Sequence, residues 1–225
     1  MKGSAVMDTV IKSSASWIMK AKLQQRDSIV SGKQVWDKLL CCTRFNSNQF
    51  YNAMIDDGSR VAWQHLFVNN RARPRAIHTT WLACHGKLGT KDRLYRFGMI
   101  HEQRCSLCDD TNESLEHLFF ACSVTKSIWS YVLQWLAIQH EPKAWSIDFA
   151  WLLEKTAKKG WRANLLKLAF TETIYGIWRF QNDMIFGANT QRYKSIDTSK
   201  DIIDNIMYRG WASKKLREHI TSLMI

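Results

Sequence analysis

One spacing constrains this chain more than any other feature. Cys105 and Cys108 are separated by two residues, His117 follows after eight more, and Cys122 after a further four. Two thiols two residues apart can reach one ion from a single tight turn, and a His and a Cys beyond them complete a four-ligand set. Three thiolates and an imidazole are soft-to-borderline donors, which suits Zn2+. The set leaves no position for water, so the expected site is structural rather than catalytic. Two other readings compete: a redox pair, or ordinary buried cysteines. A redox pair usually opens a helix after a strand, and no strand pattern precedes Cys105. Cys41 and Cys42 are adjacent and cannot comfortably chelate one ion together, and Cys84 and His85 lie in a Trp- and Leu-rich stretch, so these read as core or surface residues.

The rest of the chain reads as all-α, with an irregular small helical domain around the CCHC site and long helices C-terminal to it. Two prolines and ten glycines in 225 residues are too few for the many tight turns of a β fold, while 46% hydrophobic residues and eleven Trp predict a packed core. Apolar periodicity predicts helices over 8–30, 49–56 and 60–68. A helix opening at Pro74 should bury Ile77, Trp81, Leu82 and Cys84. Thr90 should cap a helix that buries Leu94 and Phe97 and ends at Gly98. Ser114 and Ser146 are further expected caps. A long helix is expected over 161–186, ended by Gly187, and a last one over 198–219. Trp81, Trp129, Trp135, Trp161 and Trp178 fall in apolar periods and are assigned to the core rather than to base stacking. The polar run at 44–48 and the break at Pro142 suggest an N-terminal arm (1–45), a metal-binding domain (46–140) and a helical extension (141–225).

A formal charge of +12 points to a polyanionic partner. No stretch approaches the roughly 20 apolar residues that span a bilayer, and the N-terminus lacks a secretory apolar core. The expected location is therefore intracellular, with no Lys/Arg run to separate nucleus from cytoplasm.

Longer matches now carry a resemblance. Residues 81–94, WLACHGKLGTKDRL, resemble the WLALHGRLPTKDRL signature of the zinc-binding domain of plant non-LTR, LINE-type retrotransposon reverse transcriptases. Cys105 to Cys108, the run ESLEHLFFAC from Glu113 to Cys122, and Trp129 follow in the family's order. Tyr51, Val61, Trp63 and Phe67 fit its lead-in, and Ile174 to Asn182 resembles a trailing IYxIWxxRN helix. Gly89 stands where the family usually has Pro. Gln181 stands where many relatives have Arg, which removes one potential phosphate contact. The resemblance is dense over 49–135 and looser to 187. It implies a domain that lies C-terminal to a polymerase and helps bind template RNA or target DNA; the chain resembles that tail only. Met54-Ile55-Asp56-Asp57 mimics a polymerase motif, but it lacks the partner carboxylate that two-metal chemistry needs.

Within the finger, Asp109, Asp110, Glu113 and Glu116 are unaccompanied by Lys or Arg, and three thiolates with one Zn2+ add a net charge of about −1. The expected phosphate contacts therefore lie in the flanking segment, on Arg71, Arg73, Arg75, Lys87, Lys91, Arg93, Arg96 and Arg104. The reading is a non-catalytic, zinc-stabilised nucleic-acid-binding module with RNA or DNA as partner and no small-molecule substrate. The alternative is a protein-interaction domain that docks on a reverse transcriptase polypeptide and has only weak, nonspecific nucleic-acid affinity. Neither a phosphate-binding Gly-rich loop nor a nucleophile elbow is present to support an enzyme.

Overall fold

In a helical chain the longest apolar helix usually becomes the element on which the others pack. The computed structural model describes residues 61–186 and 195–222, and here that element is the 26-residue helix Trp161–Phe186. The expectations for residues 1–60, Cys41, Cys42 and Asp56-Asp57 included, and for Gly187, lie outside the described residues. The described helices are α1 (Pro74–Cys84), α2 (Lys91–Arg96), α3 (Ser123–Trp135), α4 (Trp145–Thr156), α5 (Trp161–Phe186), α6 (Ser195–Trp211) and α7 (Lys214–Ser222). A 3-10 turn, Ala62–Leu66, precedes them. Helices α1, α3, α4, α6 and α7 all pack on α5. There is no strand among the described residues, only one isolated antiparallel bridge between Arg104 and Asn112. None of the described helices is long and apolar enough to cross a membrane.

Small residues set the closest approaches. The predicted apolar face of α1 is corrected: its buried residues are Ala76, Thr79, Thr80 and Ala83. Ile77, Leu82 and Cys84 are half-buried and Trp81 is 39% exposed. Short side chains on that face let α1 lie close to α5, so the largest apolar residues are displaced to its flanks. Gly176 serves the α5–α6 contact, since a Cβ there would come within 2.5 Å of Ile202 Cγ1.

A buried ion pair joins α1 to α5. Glu172 is fully buried, and its carboxylate accepts from Arg73 N at 2.8 Å, Nε at 2.8 Å and Nη2 at 2.6 Å. The guanidinium also lies over the Tyr175 ring, 4.8 Å from its centroid. Removing Arg73 would strand the fully buried Glu172 charge, typically a loss of about 3–5 kcal/mol.

Other expectations are corrected by local hydrogen bonding. The last helix is two: the chain breaks after Trp211, and Ser213 N bonds Gly210 O at 2.9 Å before α7 turns back onto α5 and α6. Helix α4 begins at Trp145, so Ser146 is not its cap. Instead Asp148 reaches back to accept from Lys143 N at 2.8 Å and pairs with His140 Nε2 at 2.9 Å. Phe97 is not buried but 66% exposed, with the Arg93 guanidinium 5.4 Å from its ring centroid.

Gly176→Val should lower unfolding stability by about 1–3 kcal/mol through overpacking against Ile202. Chemical denaturation of the variant beside the parent protein measures this.

Candidate metal centre

The first two ligands stand on a knuckle closed by backbone hydrogen bonds. Cys105 N bonds Thr111 O at 2.8 Å and Glu113 N bonds Gln103 O at 2.7 Å, pinching residues 103–113 into a tight loop. Inside it Asp109 N bonds Cys105 O at 3.0 Å, and Asp109 adopts φ 58°, a left-handed conformation that Asp tolerates better than most residues. The amides of Leu107 and Cys108 donate to the Cys105 sulfur.

The second pair needs a bend. Five residues along a regular α-helix, His117 and Cys122 would point roughly 140° apart. A helical turn does begin at Ser114, whose Oγ accepts from His117 N at 3.2 Å, as expected of a cap. The helix then distorts over His117–Ala121: Phe119 has φ −99°, ψ 98° and Phe120 has φ 82°, ψ −13°. This turns Cys122 back toward His117. Cys122 is also the N-cap residue of α3, and the amides of Val124 and Thr125 donate to its sulfur. A helix N-terminus favours the thiolate that a metal requires.

The four ligand atoms lie within 4.8 Å of one another. A Zn–S bond of about 2.3 Å sets tetrahedral sulfur–sulfur edges near 3.8 Å, so the set can close on one ion with small adjustments. Cys108 Sγ is 3.3 Å from His117 Nε2, and the other ring nitrogen, Nδ1, is 3.0 Å from Thr111 Oγ1. That arrangement suits the tautomer with Nδ1 protonated and Nε2 free for the ion, the partnership usual for a metal-bound His. Burial holds the His117 pKa below its ordinary value, keeping the ring neutral. The hydrogen bond between Cys105 and Cys122 pushes the Cys105 thiol up and draws Cys122 down. Zn2+ would need these sulfurs as thiolates, so its binding would release protons.

Residues 45–129 match a family model described as zinc-binding in reverse transcriptase. This stretch is a reverse-transcriptase zinc-binding domain. No match was found among curated proteins or solved structures.

The zinc-binding domain is tied to α5 by a residue that sequence reasoning placed on its surface. Glu113 is fully buried, not part of an acidic face. Its Oε1 accepts from Lys91 N at 3.0 Å and from Gln181 Nε2 at 2.9 Å. Position 181 therefore points inward, and the idea that an Arg there would contact phosphate is corrected. Burial raises the Glu113 pKa. Its Oε2 and Gln181 Oε1 are buried acceptors without a donor among the described residues, and a proton on the carboxyl would supply one. The acidity of the loop rests on exposed Asp109, Asp110 and Glu116.

The eight expected phosphate contacts divide. Arg73 is committed to Glu172. Lys91 Nζ donates to Arg104 O at 2.6 Å, Arg93 Nη1 to Gly86 O at 2.6 Å and Arg104 Nη1 to Asp109 O at 2.9 Å, so these three staple the loops around the zinc-binding domain. Arg96 pairs with Asp92 at 3.6 Å. Arg71, Arg75 and Lys87 are exposed and without a counter-ion among the described residues. Cys84, with its thiol pushed up to about 12 by burial, is outside the ligand cluster. Thr111, Glu113 and Gln181 were missed as supporting residues. Only Thr111 carried a signal, a hydroxyl in the loop that leads to His117.

Cys108→Ser and His117→Ala should each abolish stoichiometric zinc in native mass spectrometry and lower the melting temperature sharply, because binding energy here is folding energy. An undiminished cooperative melt in excess chelator would argue against the site. Glu113→Gln tests the buried carboxyl. With its folded pKa above the unfolded value, Glu113 favours the fold fully below the unfolded pKa, and that contribution is lost as pH rises through the folded one. The stability of Glu113→Gln relative to the parent should therefore increase with pH over this window, read as paired melts on zinc-loaded protein.

Proposed function

We propose that this chain is a non-catalytic, zinc-stabilised nucleic-acid-binding module of the kind carried by plant LINE-type retrotransposon reverse transcriptases, with RNA or DNA as its partner. The observation that carries this reading is the solvent face of α1. Arg75, His78, Trp81 and His85 succeed one another at helical spacing and all are exposed. Trp81 lies 4.3 Å from the His85 ring centroid and 6.2 Å from His78, a row of flat rings next to unpaired Arg75 and Lys87. Core packing, expected for Trp81, does not describe this residue. Cations beside an accessible indole suit a strand whose phosphates are neutralised while its bases stack. The metal loop is a poor candidate for that contact, because its acidic residues repel phosphate, and four protein ligands leave no open position for catalysis.

A second reading draws on Tyr95, Phe97 and Met99, which are 46%, 66% and 69% exposed within five residues. An apolar patch beside the zinc-binding domain suits docking on a reverse transcriptase polypeptide.

The two separate by mutation. Trp81→Ala should weaken single-stranded RNA or DNA binding by about 1–3 kcal/mol, roughly tenfold or more. Arg75→Ala/Lys87→Ala should flatten the salt dependence by roughly one to two units of slope. Unchanged affinity and slope in both variants, with polymerase capture lost on Phe97→Ser/Met99→Ser, would favour docking instead.

A further inference from the structure

Two adjoining cavities, of about 430 and 500 Å3, open on the described unit away from the metal ligands. Both are lined by Asn69 and Asn164, so they form one continuous trough. Arg71 and Lys214 line one part, and Lys158, Lys159 and Lys167 line the other. No Asp or Glu lines either cavity, and none of the five cations has an ion-pair partner among the described residues. Five like charges brought together around a concave surface repel one another, and low-dielectric walls focus their field.

We infer that this trough is a binding groove for the phosphate backbone of a nucleic-acid strand. The inference rests on the reading above and extends it, since four of the five cations lie beyond residue 129, where the family match ends. Lysines predominate, and a flexible ammonium follows a run of phosphates without demanding the fixed bidentate geometry of a guanidinium. Lys167 is half-buried and its pKa is held below the ordinary lysine range by desolvation, the condition of a cation that an incoming anion would relieve. Trp161 borders the same trough with its ring stacked on His219, centroids 3.9 Å apart, and so helps to wall the groove. Arg71 lines the trough three residues before α1 begins at Pro74.

The test is binding of a labelled single-stranded RNA and a labelled DNA duplex to the full chain as a function of salt. The groove variant is Lys158→Ala/Lys159→Ala/Lys214→Ala and the reference variant is Arg75→Ala/Lys87→Ala, with zinc content and melting temperature confirming that both fold. Lys158→Glu/Lys159→Glu serves as a second groove variant. The expected result is a loss of affinity of about tenfold or more in the groove variants, with the salt slope of the triple variant falling by roughly two. Unchanged affinity and slope in both groove variants, while the reference variant is weakened, would overturn the groove and leave the proposed function standing. No binding by the parent chain would overturn both. Tight binding of inorganic tripolyphosphate that RNA does not displace would assign the trough to a small polyphosphate and overturn the backbone reading.

Discussion

The bend at Phe119 and Phe120 is the constraint on which both the metal site and the helical core depend. It turns a sequence interval that suits no regular helix into a pair of converging ligands. A left-handed backbone at a bulky aromatic residue is unfavourable in isolation and persists only where its surroundings fix it. Here both Phe side chains are fully buried. Phe120 stacks on Trp129 with centroids 5.5 Å apart and approaches Phe170 at 6.0 Å, while Phe119 lies 5.5 Å from Trp145. Helices α3, α4 and α5 thus hold from one side the bend that the metal ligands hold from the other. The ligand cluster and the core therefore belong to one folding unit.

Polar contacts make a second set of ties. Arg73 with Glu172, and Glu113 with Lys91 N and Gln181, each join the zinc-binding domain to α5 through a buried carboxyl group. These groups favour one docking of the domain on α5 over alternatives that would leave a carboxylate unsatisfied, a specificity that apolar packing alone supplies less well. Of the expected cations they engage only Arg73, while backbone carbonyls hold Lys91, Arg93 and Arg104 and Asp92 holds Arg96. Charge density along a sequence counts the arginines that staple loops together with those that face solvent.

The ligand set and the long central helix were legible because each has a local signature: fixed spacing in one, sustained apolar period in the other. The starts of α1 at Pro74 and α5 at Trp161 could be read in the same way. What could not be read depended on partners distant in sequence. Ala76, Thr79, Thr80 and Ala83 form the buried face of α1 because α5 needs close approach, a demand that hydrophobicity does not encode. Trp81 and Phe97 were assigned inward because each falls in a helical apolar period. The break between α6 and α7 carries no Pro and follows Gly210 by one residue, so helical period ran straight through it. Glu113 resembled the surface acids around it, and only Gln181, 68 positions away, shows that it is internal.

That long-range pair has a consequence for inheritance. Positions 113 and 181 meet inside the protein, so the residue at one decides what suits the other, although the family match contains only the first. The Gln present here suits a carboxyl that holds its proton, whereas an Arg at 181, as in many members of the family the sequence resembles, would suit an ionised one. Substitutions at the two positions are therefore expected to travel together through descent, binding the history of the C-terminal helices to that of the metal-binding stretch they follow.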